Sequence, residues 1–282
     1  MPIVLKSYPK LIAPSKSCDC HIHVYGPRDE YPPAPSSPFP PPLALVEDYR
    51  YVMKLLAIER VIVVQPLAYG TDNRCTVDAI QQLGLENTRG VAVINESFSD
   101  KELTALYGKG IRGIRFCMIP GGTLAWEDLP KLAGKIHPFG WHIQLQMDGM
   151  QLTEQESILR QLPCNIVVDH VGKYLGPVDI DHPAFRSLLR LVDTGRCWVK
   201  LSSPYESSIE GPPHYKDVGK LAKKLAKSAP ERMLWGSNWP HPTEKENRPD
   251  DAVLLDLLLD WVEDDTSRQK ILVDNPAKFY GF

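Results

Sequence analysis

Cys18-Asp19-Cys20-His21-Ile22-His23-Val24-Tyr25 is a short apolar run that carries two imidazoles. Its length and composition suit a buried strand. Strand side chains alternate between faces, so His21 and His23 point the same way. Two buried polar rings on one face need partners. They are either a pair of hydrogen-bonded core histidines or the start of a ligand-binding cluster. Cys18 and Cys20 flank them, and a CxC spacing at a strand start reads as packing.

Outward from this stretch the chain alternates with regularity. Helical periodicity runs over 45–58 and is followed by the apolar run Val61-Ile62-Val63-Val64. The same pattern recurs as helix 73–85 and strand 90–94, helix 101–107 and strand 113–118, helix 127–138 and strand 142–147. Helix 154–162 leads to Ile166-Val167-Val168-Asp169-His170, helix 184–194 to strand 198–202, and helix 215–228 to strand 233–238. Two helices, 251–262 and 267–280, close the chain. Short apolar strands separated by amphipathic helices predict a parallel sheet. Counting the first stretch, the pattern holds eight strand–helix units, which predicts a closed (β/α)8 TIM barrel as one domain over residues 1–282.

Length agrees, since 282 residues fit one such barrel. Net charge is −3 and there is no basic run, which excludes nucleic acid as the expected partner. The six cysteines are scattered and form no CxxC pair, as expected of reduced thiols in the cytoplasm. The first sixteen residues hold no long apolar core, so neither a signal peptide nor a membrane span is expected. Between Pro27 and Pro42 lie eight prolines in sixteen residues. A loop that stiff beside a strand end is expected to form a rim over a site, a surface wrap, or a contact in a homo-oligomer.

A barrel of this kind places its site at the carboxyl ends of the strands. The polar residues there are His21 and His23; Gln65, Tyr69, Asp72 and Asn73; Arg115; Gln144, Gln146 and Asp148; Asp169, His170 and Lys173; Lys200, Ser202, Ser203, Tyr205 and Glu206; and Ser237, Asn238, Trp239 and His241. Each has an ordinary structural explanation by itself: Arg115 as a barrel ion pair, Asp148 as a turn cap before Gly149, Tyr205 and Glu206 as solvated loop residues. Their convergence on one end argues for a site.

The set His21-x-His23, Asp169-His170-x-Gly172 and Trp235-Gly236-Ser237-Asn238-Trp239-Pro240-His241-Pro242 resembles the amidohydrolase superfamily. Within it, the chain is similar to the branch of pyrone-dicarboxylate lactonases and galactarolactone isomerases, on Gln146-Met147-Asp148-Gly149, His170-Val171-Gly172-Lys173, Tyr205-Glu206-Ser207-Ser208 and Asn238. The resemblance implies a TIM barrel and chemistry at the carbonyl of a small carboxylated lactone. For such chemistry, catalytic roles are expected of His21, His23, His170, Asn238 and Asp148 among the residues at the strand ends. Substrate contacts are expected from Arg115, Gln146, Lys173, Tyr205, Glu206, Asp72 and Asn73.

Two positions depart from the metal-dependent members. Asn238 stands where they carry a catalytic Asp, and a carboxamide cannot act as a general base near neutral pH. Gln146 stands where many carry a histidine, and three imidazoles plus an amide make a poor zinc site. The expectation is therefore that no cofactor is required; a divalent metal such as zinc, weakly held by His21, His23 and His170, is the alternative. Hydrolysis of the lactone ranks first, isomerisation by an internal hydroxyl second, and a non-catalytic sugar-acid-binding barrel third.

Overall fold

The computed structural model of the chain describes residues 7–119, 122–244 and 246–282. Each apolar run becomes a strand: β1 (Cys18–Ile22), β2 (Arg60–Val64), β3 (Thr88–Ala92), β4 (Ile111–Cys117), β5 (His142–Gln146), β6 (Ile166–Val168), β7 (Cys197–Leu201) and β8 (Met233–Trp235). The strands pair in chain order, every pair parallel. After the strands come α1 (Val46–Leu56), α2 (Arg74–Leu83), α3 (Asp100–Gly108), α4 (Leu129–Ile136), α5 (Leu152–Gln161), α6 (Pro183–Val192), α7 (Lys216–Ser228) and α8 (Asp251–Trp261). This is the (β/α)8 TIM barrel that the alternation predicts.

Alternation along the strands sorts the core into two layers. Val61, Val63, Ile114, Phe116, Ile143 and Leu145 face outward and pack with helix residues such as Leu56, Ile80, Leu132 and Leu159. Cys18, Cys20, Ile62, Val64, Val91, Val167, Trp198 and Leu234 face inward. The barrel floor is sealed by α10 (Asn275–Tyr280), whose Phe279 and Tyr280 rings stand against His142 and Trp198. The predicted second closing helix is broken: α9 (Asp265–Gln269) passes through a π-turn, Lys270–Asp274, before α10 begins.

One strand breaks the period of two. Asp19 pairs with Val61 and Ile22 with Val63, so β1 spends three steps where β2 spends two. This is a β-bulge, and it lets Cys20 and His21 both face the barrel interior. Asp19, between the inward Cys18 and Cys20, turns outward by ordinary alternation. There it accepts from Ser237 Oγ (2.5 Å), Ser237 N (3.0 Å), Tyr49 Oη (3.0 Å) and His21 N (3.1 Å). The buried carboxylate thus joins β1 to the end of β8. Closure is completed by Asn238 N donating to His21 O (2.9 Å) and His23 N donating to Trp239 O (2.8 Å).

The proline-rich loop wraps the mouth. Ala34 N donates to Ala68 O (2.7 Å) and Tyr31 Oη to Asp78 (2.8 Å), which fastens the loop to the segment after β2. Among the described residues, no helix is long and apolar enough to cross a membrane.

Candidate active site at the carboxyl ends of the strands

A cavity of ≈ 210 Å³ opens at the mouth, with room for a small ring. Its polar side is formed by His23, Arg115, Gln146, Lys173, Glu206 and Asn238, and its apolar side by Tyr25, Pro38, Phe39, Pro66, Leu67 and Ile119. Pro38 and Phe39 come from the proline-rich loop, which therefore supplies part of the wall, as a rim would.

Backbone strain gathers at the same end. His170, Val171, Lys173, Ser203, Asn238 and His241 all have positive φ, between 46° and 65°. Asn tolerates that region, but β-branched Val171 rarely does. Such concentration of unfavourable backbone is characteristic of functional sites.

Behind His23 lie His21 and His170, their ring centroids each 4.9 Å from a neighbouring imidazole. Both are buried beneath the cavity floor. Hydrogen bonds dictate the ring tautomers. His23 Nδ1 lies 2.8 Å from the carbonyl oxygen of Val64, which only accepts, so the proton is on Nδ1. In the neutral ring Nε2 is then a lone pair, and it faces His21 Nε2 at 3.3 Å. His21 must donate there, leaving its Nδ1 to accept from Lys200 Nζ (3.2 Å). Burial, with the Arg115 charge second, pushes His23 down to about 3. Burial and Lys200 hold His21 well below its ordinary value, and burial does the same for His170 against the pull of Asp169. Burial thus favours the neutral form of all three rings, and a neutral His23 with its proton on Nδ1 presents no N–H to the cavity.

The sequence pattern alone assigns Lys200, one of the polar residues at the strand ends, no role. It is fully buried and central. Its Nζ donates to Gln144 Oε1 (2.7 Å) and lies 3.5 Å from Asp169 Oδ1. Gln144 Nε2 in turn donates to Asp169 Oδ2 (3.0 Å). Burial pushes the Asp169 carboxyl up, but Lys200 and Arg115 outweigh it and keep it below the usual carboxylate range. A lysine in the middle of an apolar strand, Trp198-Val199-Lys200-Leu201, is the signal that identifies it.

His21, Asp169 and His170 each offer a ligand atom, all within 4.8 Å of one another. His23 is outside that group, so the ligand set differs from the three imidazoles expected. Asp169 Oδ1 and His170 Nε2 are buried without hydrogen-bond partners, which suits a bound cation. Such an ion would polarise a carbonyl as a Lewis acid. The ammonium of Lys200 already stands beside two of the three residues as a positive charge.

The predicted substrate contacts divide. Arg115 donates to Gln146 Oε1 (2.7 Å) and Gln65 O (3.1 Å). Gln146 Oε1 also faces Cys117 Sγ (3.3 Å), which leaves the Gln146 NH2 as the group free to donate to a ligand. Lys173 pairs with Glu206. Asn238 Nδ2 donates to Tyr205 Oη (2.9 Å) and Glu206 Oε1 (3.1 Å).

Asp148, Asp72 and Asn73 are placed elsewhere. Asp148 Oδ1 caps the turn after β5, accepting from Met150 N (3.0 Å) and Leu175 N (3.2 Å). Asp72 pairs with Arg74 at the surface (2.7 Å). Asn73 joins the β2 loop to the end of β3 through Val93 N (2.9 Å) and Val93 O (2.8 Å). None of the three lines the cavity. The sequence pattern assigns no role to His241 or Asp251, yet both are buried behind Tyr205.

A closed β/α barrel with imidazoles and cations at the carboxyl ends of its strands is an enzyme architecture. The chain belongs to the amidohydrolase family, whose profile matches residues 18–282. It is 34% identical over 284 residues to a 2-pyrone-4,6-dicarboxylate hydrolase of Comamonas testosteroni, covering 97% of this chain and 93% of the relative. It is 35% identical over 271 residues to a D-galactarolactone isomerase of Agrobacterium fabrum, covering 95% and 91%. An apo crystal structure of an Agrobacterium tumefaciens protein superimposes with a TM-score of 0.91 at 34% identity, covering 97% of this chain and 98% of that one.

Proposed function

We propose that this chain acts on a small lactone bearing one carboxylate and several hydroxyls, and that it transfers the acyl group to an internal hydroxyl. The observation that carries the reading is Asn238 at the cavity, where a base would have to stand for water attack. Asp148, a candidate for that base, is committed to capping backbone N–H groups outside the cavity. Glu206 is committed to Lys173 and Asn238. In the reaction the substrate hydroxyl oxygen bonds to the carbonyl carbon, and the ring C–O bond breaks. The hydroxyl proton passes to the departing oxygen, and no water is consumed. Holding both groups in one cavity favours the internal nucleophile by effective molarity.

Charge supports a single carboxylate on the substrate. With neutral imidazoles, Arg115, Lys173 and Lys200 face Asp169 and Glu206, which leaves one positive charge in excess. Arg115 and Lys173 line the cavity and grip the acid group. Gln146 donates to a hydroxyl through its free NH2. The two curated relatives are, by name, a hydrolase and a lactone isomerase, so both outcomes are at home in the family. Hydrolysis is the second reading, favoured by Glu206 being a carboxylate on the cavity wall. We further propose that no metal is required, because Lys200 supplies a cation at the histidine–aspartate group. The six buried, unpaired cysteines support a cytosolic location.

Mass spectrometry of the product from an aldarolactone tests the reading. An unchanged mass with a changed ring supports isomerisation, and a gain of one water supports hydrolysis. Tight binding without turnover across a lactone panel would make the barrel a sugar-acid-binding protein. Asn238→Asp would place a carboxylate where the amide now faces Glu206 Oε1 at 3.1 Å, raising its proton affinity and supplying a base. Water-dependent opening should rise in that variant, and no rise in a folded variant counts against the isomerase reading.

A further inference from the structure

The amide of Asn238 has a fixed polarity, and the groups that fix it run back into the barrel wall. Glu206 is a carboxylate and only accepts, so the amide atom 3.1 Å from it is the nitrogen. The second amide hydrogen goes to Tyr205 Oη at 2.9 Å. With that lone pair used, Tyr205 sends its own hydrogen to His241 Nδ1, also at 2.9 Å. His241 Nδ1 must then be bare and Nε2 protonated. Asp251 Oδ1, 3.0 Å from Nε2, is an acceptor placed to hold that tautomer. His241 and Asp251 are buried and do not touch the cavity. With a neutral His241 ring each bond in the chain runs in one direction; an imidazolium would instead donate from both ring nitrogens, to Tyr205 Oη and to Asp251.

We propose that Asp251, His241 and Tyr205 are positioning residues that turn Oδ1 of Asn238 toward the cavity, so that position 238 accepts a hydrogen bond from a substrate hydroxyl and offers no donor. The proposal deepens the lactone reading and rests on it for the identity of the hydroxyl. A hydroxyl whose hydrogen is accepted by Oδ1 is held with an oxygen lone pair free to attack. A keto or deoxy analogue leaves Oδ1 without its partner, which a buried polar site penalises. Tyr205, one residue before Glu206 in the turn Pro204–Glu206, therefore acts through Asn238 rather than on the substrate.

Two measurements on the full chain test this. First, nitrogen-15 NMR of histidine- and asparagine-labelled protein reads the wiring without any substrate. His241 should carry its proton on Nε2 alone. Both Asn238 side-chain amide hydrogens should be shielded from solvent exchange, and Tyr205→Phe should release one of them. A proton on His241 Nδ1, or an Asn238 amide indifferent to Tyr205→Phe, overturns the proposal.

Second, Tyr205→Phe and Asn238→Ala are combined. Tyr205→Phe should lower kcat about tenfold with KM nearly unchanged, and should have almost no effect in the Asn238→Ala background, as expected of groups acting as a unit. Additive losses overturn it. If Tyr205→Phe does not fold, His241→Phe is read against the same background. If the native enzyme turns over no lactone, the function reading fails while the NMR result still decides the wiring.

Discussion

Gly236 passes so close to His21 that a Cβ at position 236 would stand 2.7 Å from the Cβ of His21 and 3.0 Å from its backbone nitrogen. The segment that runs from β8 to Asn238 thus reaches β1 with no side chain between them. Gly236→Ala should force the two strands apart at the closing seam. Overpacking of this kind costs about 1–3 kcal/mol. The expected result is a lowered urea midpoint together with loss of turnover, since His21 and Asn238 shift together. Unchanged stability and activity would show that the seam yields freely.

Lys200 and Asp169 make a second prediction. Both are fully buried, and removing one partner leaves a buried charge exposed to an apolar interior. Lys200→Met should cost about 3–5 kcal/mol, the usual penalty for breaking a buried pair. The double variant Lys200→Met with Asp169→Asn should recover much of that. A cycle measured by denaturant unfolding checks it, and simple additivity would mean that the two charges are not coupled.

A third prediction concerns acid. His23 and His142 are each held at about 3, chiefly by burial, against an ordinary value of 6.5. His21 and His170 are lowered too, again chiefly by burial. The unfolded chain therefore takes up protons first. For His23 and His142 the stability is fully present above 6.5 and is lost as pH falls from 6.5 toward 3, at about 1.4 kcal/mol per pH unit for each of these two rings. His142 lies at the barrel floor beside Phe279, away from the cavity. His142→Gln should remove one proton from the slope between pH 6.5 and 5. A folded variant with the native slope would assign the acid sensitivity elsewhere.

The eight strands were legible because inner strands of a parallel barrel are continuous apolar runs, and Val61–Val64 or Ile166–Val168 could be little else. The convergence of His23, Arg115, Gln146, Lys173, Glu206 and Asn238 on one cavity followed from their positions at strand ends. What side chains do there was less legible. Asp148, Asp72 and Asn73 sit at strand ends too, but each satisfies nearby backbone or a neighbouring arginine, a choice that loop geometry makes. The His241–Asp251 contact joins the end of β8 to the first turn of α8 and has no periodic signature. Lys200 is more legible than these, because a cation on an inward strand position must have an answering charge.

The bulge in β1 separates two halves of one strand. Below it, the thiols of Cys18 and Cys20 fill the interior; above it, imidazoles stand at the site end, and the extra residue lets both face inward. Deleting the extra residue would leave Asp19 opposite Val61 and Ile22 opposite Val63, so His23 would keep its inward face and the interior would lose one of the two side chains, Cys20 or His21, that the bulge lets in together.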